Sequence, residues 1–359
     1  MIIAVVMGIS LIICPIVPRK YYRWFGFAVS IALAYCAFHV EAYKASDLYR
    51  HFGEIDLYRT VGYDLLIEDL AEMRNPLTNI LYYLFSLIDD SRWFPTVIIF
   101  VIYQLIFSLI NKVAEDEDLT QNQVTACTVF ALINFSFYFA IYAVRMWLVF
   151  AIFAYTLYVE VIRKKNVVLC WAVYFALIFF HYAALFLLLA RLIAFFIMNP
   201  PTTVVRLFSS VIMFIGVIVV AYYLFGSSFG ETVQDKFEGY LTYETRGTWQ
   251  TIDCWMRAIA VFCLAIYQLM QIKKSKYKCV SLIAVVLFFI MLFMVNNYQI
   301  TLRYPDGLVL LSIPMLAAFM KPHKSEFYYP IWQLMFIGAT IVNAVYVLAF
   351  DFRNLYFNF

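Results

Sequence analysis

Charged residues are scarce in this sequence. Only 14% of its 359 residues are Asp, Glu, Lys or Arg, whereas 65% are hydrophobic and 20% are aromatic. This shortage excludes a soluble domain of ordinary composition, and the successive apolar runs of nearly twenty residues indicate a chain that crosses a membrane many times. The sequence therefore predicts an all-α fold, a polytopic integral membrane helix bundle that forms a single domain over residues 1–359.

Patterns that would bind a metal or form disulfides are also lacking. The seven cysteines lie mostly within apolar runs without CxxC spacing, which predicts packed thiols. Acidic pairs at ligand spacing are absent from the predicted helices, so neither a metal site nor a cofactor is expected. The first apolar run, residues 2–17, lacks a basic start and a small-residue cleavage site, so we expect it to remain as a helix. No internal repeat is visible.

Basic turns separate many of the apolar runs. Lys and Arg are concentrated in the cytoplasmic loops of membrane proteins. The clusters at 19–23, 163–165, 273–278 and 321–324 fall on one side if the apolar segment 77–88 does not cross the membrane. As a helix that segment is only about 18 Å long, too short for a hydrocarbon core of about 30 Å. The sequence predicts about twelve transmembrane helices, among them one that runs continuously over residues 124–142 after a loop at 112–123. It also predicts a short re-entrant or interfacial helix and places both termini outside.

Three polar segments are expected at the outer face, at residues 41–92, 226–252 and 296–306. Two isolated polar residues join them from the middle of the chain. At 1.5 Å per residue, Arg145 lies about 27 Å from Arg163 and His181 about 21 Å from Val167, both toward the outer side. A charge within a membrane-spanning segment is costly and by default marks function. Arg191, midway along its helix, is expected to have a structural role, either snorkelling inward or pairing with a buried acid.

The polar residues of this outer face share a chemistry that suits phosphorylated sugars. Arginine binds phosphate bidentately and stays charged at a membrane surface, so several arginines suit a pyrophosphate. Histidine can remove a proton from a hydroxyl group near neutral pH. Tyrosine suits stacking on sugar rings, although membrane interfaces are also enriched in it. The candidates are Asp47, Tyr49, Arg145, His181, Arg246, Arg257, Arg303 and Tyr304.

The strongest candidates also have structural explanations. Arg145 could anchor a helix end at the membrane interface. His181 could simply hydrogen-bond a backbone carbonyl at a bend. Arg303 could pair with Asp306, the only acid close to it in sequence. Their joint position at one face favours function more than any one residue does.

The order of several short motifs resembles that of one known family. The motifs are Asp47-Leu48-Tyr49 before the short helix at Asn75-Pro76, Arg145 after the aromatic run FYFAIYAV, Phe180-His181-Tyr182 before small residues, and Arg303-Tyr304 before a descending helix. Together they resemble the Wzy-type bacterial polysaccharide polymerases, specifically the EpsG-like branch. The chain departs from that pattern in having Asn75 where the family tends to have Glu, and Met146 where it usually has a polar residue.

The resemblance implies a glycosyltransferase with GT-C-like architecture in the bacterial inner membrane, its active site facing the periplasm or exterior. Such an enzyme transfers a glycan from undecaprenyl pyrophosphate to the non-reducing end of another lipid-linked unit, and so makes O-antigen, capsule or exopolysaccharide. A flippase and a chain-length regulator are expected partners, and nucleic acid is not. The implied catalytic residues are His181, Arg145 and Arg303, and the implied substrate-binding residues are Asp47, Tyr49, Arg246, Arg257 and Tyr304.

Other activities remain open. A ligase that moves a finished glycan onto lipid or protein would have a similar fold and chemistry, and a membrane O-acyltransferase also uses an intramembrane histidine. From another class, the main alternative is a transporter such as a lipid-linked oligosaccharide flippase. A flippase is expected to carry charge at both faces of a central cavity, often from related halves. The one-sided polar residues of this chain favour the enzyme.

Overall fold

The protein is described by a computed structural model that covers residues 2–44, 46–72, 75–198, 248–270, 276–295, 298–320, 337–338 and 340–345. Its regular secondary structure in these residues is helical. Four described helices are long and apolar enough to cross a membrane, namely Trp93–Asp116, Val144–Ile162, Thr251–Met270 and Ile300–Phe319. The prediction of an α-helical membrane protein is confirmed at this level, whereas the number of crossings and the GT-C-like architecture stay predictions.

In the first part of the chain the helices are α1 (Ile2–Ile13), α2 (Tyr22–Phe38), α3 (Asp47–Val61), α4 (Tyr63–Ala71), α5 (Pro76–Ser86), α6 (Trp93–Asp116), α7 (Gln121–Asn134) and α8 (Phe137–Tyr142). Of these helices, α2 and α6 pack against each other most extensively. Pro76 lies in the first turn of α5, where its missing N–H needs no partner. With eleven residues, α5 is shorter than a membrane span, as its sequence predicts.

The later helices are α9 (Val144–Leu157), α10 (Val167–Phe180), α11 (Ala184–Met198), α12 (Thr248–Met270), α13 (Lys278–Phe293) and α14 (Tyr298–Phe319). A π-helical turn, Tyr158–Ile162, continues α9. Helix α14 packs against five other helices, namely α6, α7, α9, α12 and α13. The most apolar stretch within residues Ile300–Phe319 of α14 is 89% buried, so α14 is the central helix of the described bundle.

Three details of the predicted layout are wrong. The outer loop expected at 296–306 is helical from Tyr298 onward, although Pro305 lies within it. A proline is tolerated inside a helix when surrounding helices satisfy the freed backbone groups, and α14 is enclosed by its neighbours. The helix expected at 124–142 is interrupted after Asn134, and α6 runs four residues further than Lys112, where a loop was expected.

Three basic turns meet at one end of the bundle. The acidic segment 115–118 at the end of α6 forms ion pairs with Arg19, Arg163 and Lys276, with closest N···O distances of 3.2, 2.8 and 2.6 Å. These contacts place the three turns at the same end, in agreement with the predicted topology. They also explain why an acidic segment lies among basic turns. Which side of the membrane this end faces stays a prediction.

The helices that leave this end carry candidate residues to the opposite end. Helix α9 has Arg145 in its first turn and ends at the basic turn, while α10 leaves that turn and ends just before His181. Helix α14 has Arg303 near its start and ends beside α7, where Gln123 Nε2 donates a hydrogen bond to the Met320 carbonyl at 3.0 Å. Arg145, His181 and Arg303 therefore share one end of the bundle.

Candidate functional site

Asp47, at the start of α3, contacts two arginines from different helices. Ser46 caps this helix, because its Oγ accepts a hydrogen bond from the Tyr49 N–H at 3.2 Å. The Asp47 carboxylate forms an ion pair with Arg50 on the same helix and lies 3.5 Å from Arg303 Nη2 on α14. One partly exposed carboxylate is thus shared by two cations.

His51 is a buried, uncharged neighbour of these arginines. Its Nδ1 lies 2.6 Å from the Tyr82 hydroxyl on α5. Burial lowers the pKa of His51 well below its usual range, and the positive charges of Arg145, Arg50 and Arg303 lower it further. The ring is therefore neutral at physiological pH. Three arginines from α3, α9 and α14 lie within electrostatic range of one neutral ring.

Arg145 occupies an electrostatically unfavourable position in the first turn of α9, because the N-terminus of a helix carries partial positive charge. Within the described part of the chain, no carboxylate lies at ion-pair distance from its guanidinium. An anion placed beside Arg145 would be stabilised by the side chain and by the helix N-terminus together. This position therefore suits an anionic ligand better than a structural ion pair.

His181 lies at the bend between α10 and α11, which contacts from two other helices hold in place. Thr78 Oγ1 on α5 donates a hydrogen bond to the Phe180 carbonyl at 2.8 Å, and the Tyr304 hydroxyl on α14 donates one to the Ala183 carbonyl at 2.8 Å. The Ala183 N–H donates to His181 Nδ1 at 3.1 Å. A neutral ring that accepts at Nδ1 carries its proton on Nε2, so His181 is a hydrogen-bond donor at Nε2.

One turn of α14 connects the parts of this end. Arg303 contacts Asp47 on α3, and the next residue, Tyr304, holds the bend after α10. Asp306 reaches the interruption between α7 and α8, where the Ser136 N–H donates to Asp306 Oδ1 at 2.9 Å. The partner of Arg303 is thus Asp47, and the expected alternative of an ion pair with Asp306 is wrong. Because this turn is helical, its side chains point toward different elements.

Two predicted substrate-binding residues differ in their exposure. Tyr49 is 47% exposed and lines a surface pocket together with Phe52 and Asp56. Tyr304 is buried, and its ring packs edge-on against Phe150. Tyr49 is therefore accessible to a sugar, whereas Tyr304 is enclosed and stabilises the bend after α10 through its hydrogen bond to the Ala183 carbonyl.

The two remaining predicted arginines are not part of this arrangement. Arg257 is buried and contacts two carboxylates, so we give it no place in the substrate site proposed below. Arg246 lies outside the described residues.

The sequence analysis gave no role to three residues that the structure places at this end of the bundle, namely Arg50, His51 and Tyr82. The polar segment that holds Arg50 and His51 was expected at this face, but nothing in the sequence indicated which of its residues point inward. Tyr82 gave no signal, because tyrosine is common throughout the chain.

Comparison of the chain with family models, with curated proteins and with solved structures finds no match. The functional argument therefore rests on the contacts and charges of this end of the bundle.

Proposed function

We propose that this chain is a membrane glycosyltransferase that polymerises lipid-linked oligosaccharide repeat units at the outer face of the bacterial cytoplasmic membrane. The observation that carries the proposal is the cluster of Arg50, Arg145 and Arg303 around the neutral His51. Among the described residues, Asp47 is the one carboxylate in ion-pair contact with this cluster. Cations gathered in this way repel each other unless an anion lies between them. A pyrophosphate supplies that charge and accepts bidentate hydrogen bonds from arginine.

In this proposal Arg145 and Arg303 bind the pyrophosphate of the lipid-linked donor. A hydroxyl at the non-reducing end of the acceptor attacks the anomeric carbon of the donor glycan. The bond from that carbon to the pyrophosphate oxygen breaks, undecaprenyl pyrophosphate leaves with the electron pair, and the acceptor hydroxyl passes its proton to water. Negative charge grows on the leaving oxygen as the bond breaks, and fixed arginines stabilise it.

His181 is proposed to contact the acceptor hydroxyl. The sequence left two roles open for it, general base or orientation of the hydroxyl. Acceptance of the Ala183 N–H at Nδ1 leaves the ring proton on Nε2, which supports orientation through an Nε2–H donor. Tyr49 and Asp47 lie on the first turn of α3 and are proposed to bind the sugars.

Replacement of Arg145 or Arg303 with Lys tests the donor site. Lysine keeps the charge but lacks the planar fork that matches phosphate. A hydrogen bond to a charged group contributes about 1.5–3 kcal/mol, so we expect at least about a tenfold loss of glycan transfer in each variant. The measurement is chain elongation by purified protein in nanodiscs, with lipid-linked repeat units extracted from the source cells. Binding of undecaprenyl pyrophosphate is measured in parallel by native mass spectrometry.

Arg19→Lys is the matched control for these variants. Arg19 forms an exposed ion pair with Asp118 at the other end of the bundle, so its replacement is expected to leave elongation unchanged. Near-normal elongation by both Arg145→Lys and Arg303→Lys would remove the donor site from the proposal.

A lipid-linked oligosaccharide flippase is the second candidate, and one observation favours it. Asp253, Arg257 and Asp306 form a buried ionisable cluster within membrane-length helices, and such clusters mark proton relays in pumps and transporters. A flippase would bind the same pyrophosphate without lengthening a glycan. The elongation assay with purified protein separates the two functions, and a ligase would transfer a glycan without adding repeats.

A further inference from the structure

Two acidic side chains share one arginine in the interior of the bundle. Asp253 and Arg257 lie one turn apart on α12, and Asp306 lies on α14. Arg257 Nη2 is 2.9 Å from Asp253 Oδ2, and its Nη1 is 3.2 Å from Asp306 Oδ1. The side chains of Asp253, Arg257 and Asp306 are 3%, 3% and 0% exposed. The cluster thus has two carboxyl groups for one guanidinium in a place that solvent does not reach.

The backbone around the cluster contributes dipoles but no charge. The Asn134 carbonyl at the end of α7 accepts a hydrogen bond from Arg257 Nη1 at 2.9 Å. The Ser136 N–H, before the start of α8, donates to Asp306 Oδ1 at 2.9 Å. These contacts satisfy one oxygen of Asp306 and part of the guanidinium. They do not balance the second carboxyl group.

Among the described residues, two titratable groups beside the cluster are ordinarily uncharged. Tyr103 of α6 lies within electrostatic range of Asp306, and Cys254 Sγ lies 3.7 Å from the Arg257 guanidinium. Within the described part of the chain, Asp253 Oδ1, Asp306 Oδ2 and the Tyr103 hydroxyl make no hydrogen bond. Buried polar atoms of this kind nearly always have a partner, so each unpaired oxygen calls for one.

We propose that the cluster of Asp253, Arg257 and Asp306 binds one proton, which one of the two carboxyl groups carries. If both carboxyl groups were ionised, one net negative charge would remain among apolar side chains, and an uncompensated buried ion is strongly unfavourable. A proton on an unpaired oxygen makes the cluster neutral and supplies a hydrogen-bond donor. Carboxyl groups that compete for one cation take up and release protons as a pair. This proton site does not depend on the proposed function.

A second buried ion pair in the same protein provides an internal control. Arg191 Nε donates to Glu160 Oε2 at 2.9 Å, and the Tyr174 hydroxyl donates to the same oxygen at 2.8 Å. The side chains of Arg191 and Glu160 are 6% and 4% exposed. This pair has one acid for one base, so it is neutral when both groups are ionised and needs no proton.

The proton site is connected to the arginine-lined end through α14. Asp306 lies one turn after Arg303, and its contact with Ser136 fixes the chain before α8, which leads directly to Arg145 on α9. A change of protonation alters the charge beside this interruption. The cluster is therefore placed to couple proton binding to the spacing of Arg145 and Arg303.

Neutral replacements distinguish a cluster with one proton from a fully ionised one. Asp253→Asn and Asp306→Asn each leave one carboxylate for Arg257, so each single variant is expected to unfold near the wild-type temperature. Glu160→Gln leaves Arg191 unpaired, so it is expected to lower the unfolding temperature markedly. The double variant Asp253→Asn/Asp306→Asn removes both carboxylates of the cluster from Arg257 and should behave like Glu160→Gln. The measurement is thermal unfolding of purified protein in one detergent at neutral pH.

Infrared spectroscopy tests the proton directly in the wild-type protein. A protonated carboxyl group has a carbonyl stretch that is separate from that of a carboxylate. We expect this band at neutral pH in the wild type and in Glu160→Gln, and its loss in both single Asn variants, because the remaining carboxylate then pairs with Arg257. Absence of the band from the wild type, its persistence in both single variants, or destabilisation of those variants as great as that of Glu160→Gln would overturn the proposal.

Discussion

Burial distinguishes two kinds among four arginines of the described helices. Arg191 and Arg257 are buried, and carboxylates lie within ion-pair distance of each. Arg145 and Arg303 are only partly buried, and they lie near His51, which carries no charge. Removing either partner of the Arg191–Glu160 pair leaves an uncompensated buried charge, whereas Arg257 keeps one carboxylate when either of its two acids is replaced. The second kind remains able to bind an anion.

At the residue scale, His181 can be tested by comparing two substitutions. Glutamine places an amide donor near the position of the ring Nε2, whereas alanine removes it. If His181 orients the acceptor through Nε2–H, we expect His181→Gln to keep part of the elongation activity. His181→Ala should lose about 10²-fold, because misplacement of a reacting group costs about that much in rate. The measurement is chain elongation with the lipid-linked repeat units described above.

Arg19→Lys, at the other end of the bundle, is again the control for this comparison. Equal and complete loss in His181→Gln and His181→Ala would point to proton removal by the ring instead. Normal polymer from His181→Ala would make the residue structural.

The partner of a residue was predictable from the sequence only where the neighbouring sequence determined the surroundings of that residue. Arg191 lies in a long apolar helix, so a buried acid was a natural partner, and the ion pair with Glu160 confirms that interpretation. The partner of Arg303 was not predictable, because Asp47 is 256 positions away along the chain. Contacts of that kind depend on how α3 and α14 pack.

At the element scale, two charged side chains stabilise the helix ends at the interruption between α7 and α8. Arg257 donates to the carbonyl of Asn134 at the end of α7, where a helix carries partial negative charge. Asp306 accepts from the N–H of Ser136 before α8 begins, where the partial charge is positive. The sequence predicted one continuous helix over 124–142, because the run is apolar throughout. The groups that stabilise the interruption lie on α12 and α14, more than a hundred residues later.

The contact between α9 and α14 depends on Gly307. A Cβ added at Gly307 would lie 2.7 Å from the ring of Phe150, and that ring is itself packed against Trp147 and Tyr304. We expect Gly307→Ala to move the two helices apart, at a cost of about 1–3 kcal/mol typical of an overpacked core. Such a shift also changes the spacing of Arg145 and Arg303. The measurements are thermal unfolding and chain elongation.

Two further variants make this prediction specific. Gly8→Ala on α1 adds the same methyl group where no atom lies within 4 Å, so it is expected to cause no loss of stability and to leave elongation unchanged. Phe150→Leu combined with Gly307→Ala should recover part of the lost stability, because the smaller side chain frees space for the Cβ. Wild-type stability and activity in Gly307→Ala alone would show that the ring can move at no cost.

At the scale of the whole molecule, charge is separated between the two ends of the bundle. The acidic segment 115–118 balances three basic turns at one end, whereas the arginine cluster at the other end has Asp47 as its partner among the described residues. The sequence predicted this separation from the composition of its loops, because basic clusters and the lengths of apolar runs are visible in short stretches of sequence. It did not predict the π-helical turn after α9, whose Glu160 bonds Arg191 on a different helix.

The separation of charge leads to a prediction about membrane topology. None of the helices between Lys44 and Asp89 is among the four of membrane length, and their buried residues pack against the rest of the bundle. We therefore expect both residues to face the same side of the membrane. The ion pair of Arg163 with the acidic segment ties the basic turn to the other end, so exposed Lys164 should face the opposite side.

Labelling of introduced cysteines with a membrane-impermeant maleimide tests this arrangement in intact cells and in inverted vesicles. Lys44→Cys, Asp89→Cys and Lys164→Cys are all at exposed positions, and every native cysteine except Cys263 is buried, so Cys263→Ser provides a quiet background. We expect Lys44→Cys and Asp89→Cys to react from outside the cell and Lys164→Cys only in inverted vesicles, because basic turns are retained in the cytoplasm. Reaction of Lys44→Cys and Asp89→Cys from opposite sides would mean that the segment between them crosses the membrane. The arginine cluster would then lie on the wrong side for a donor that is delivered at the outer face.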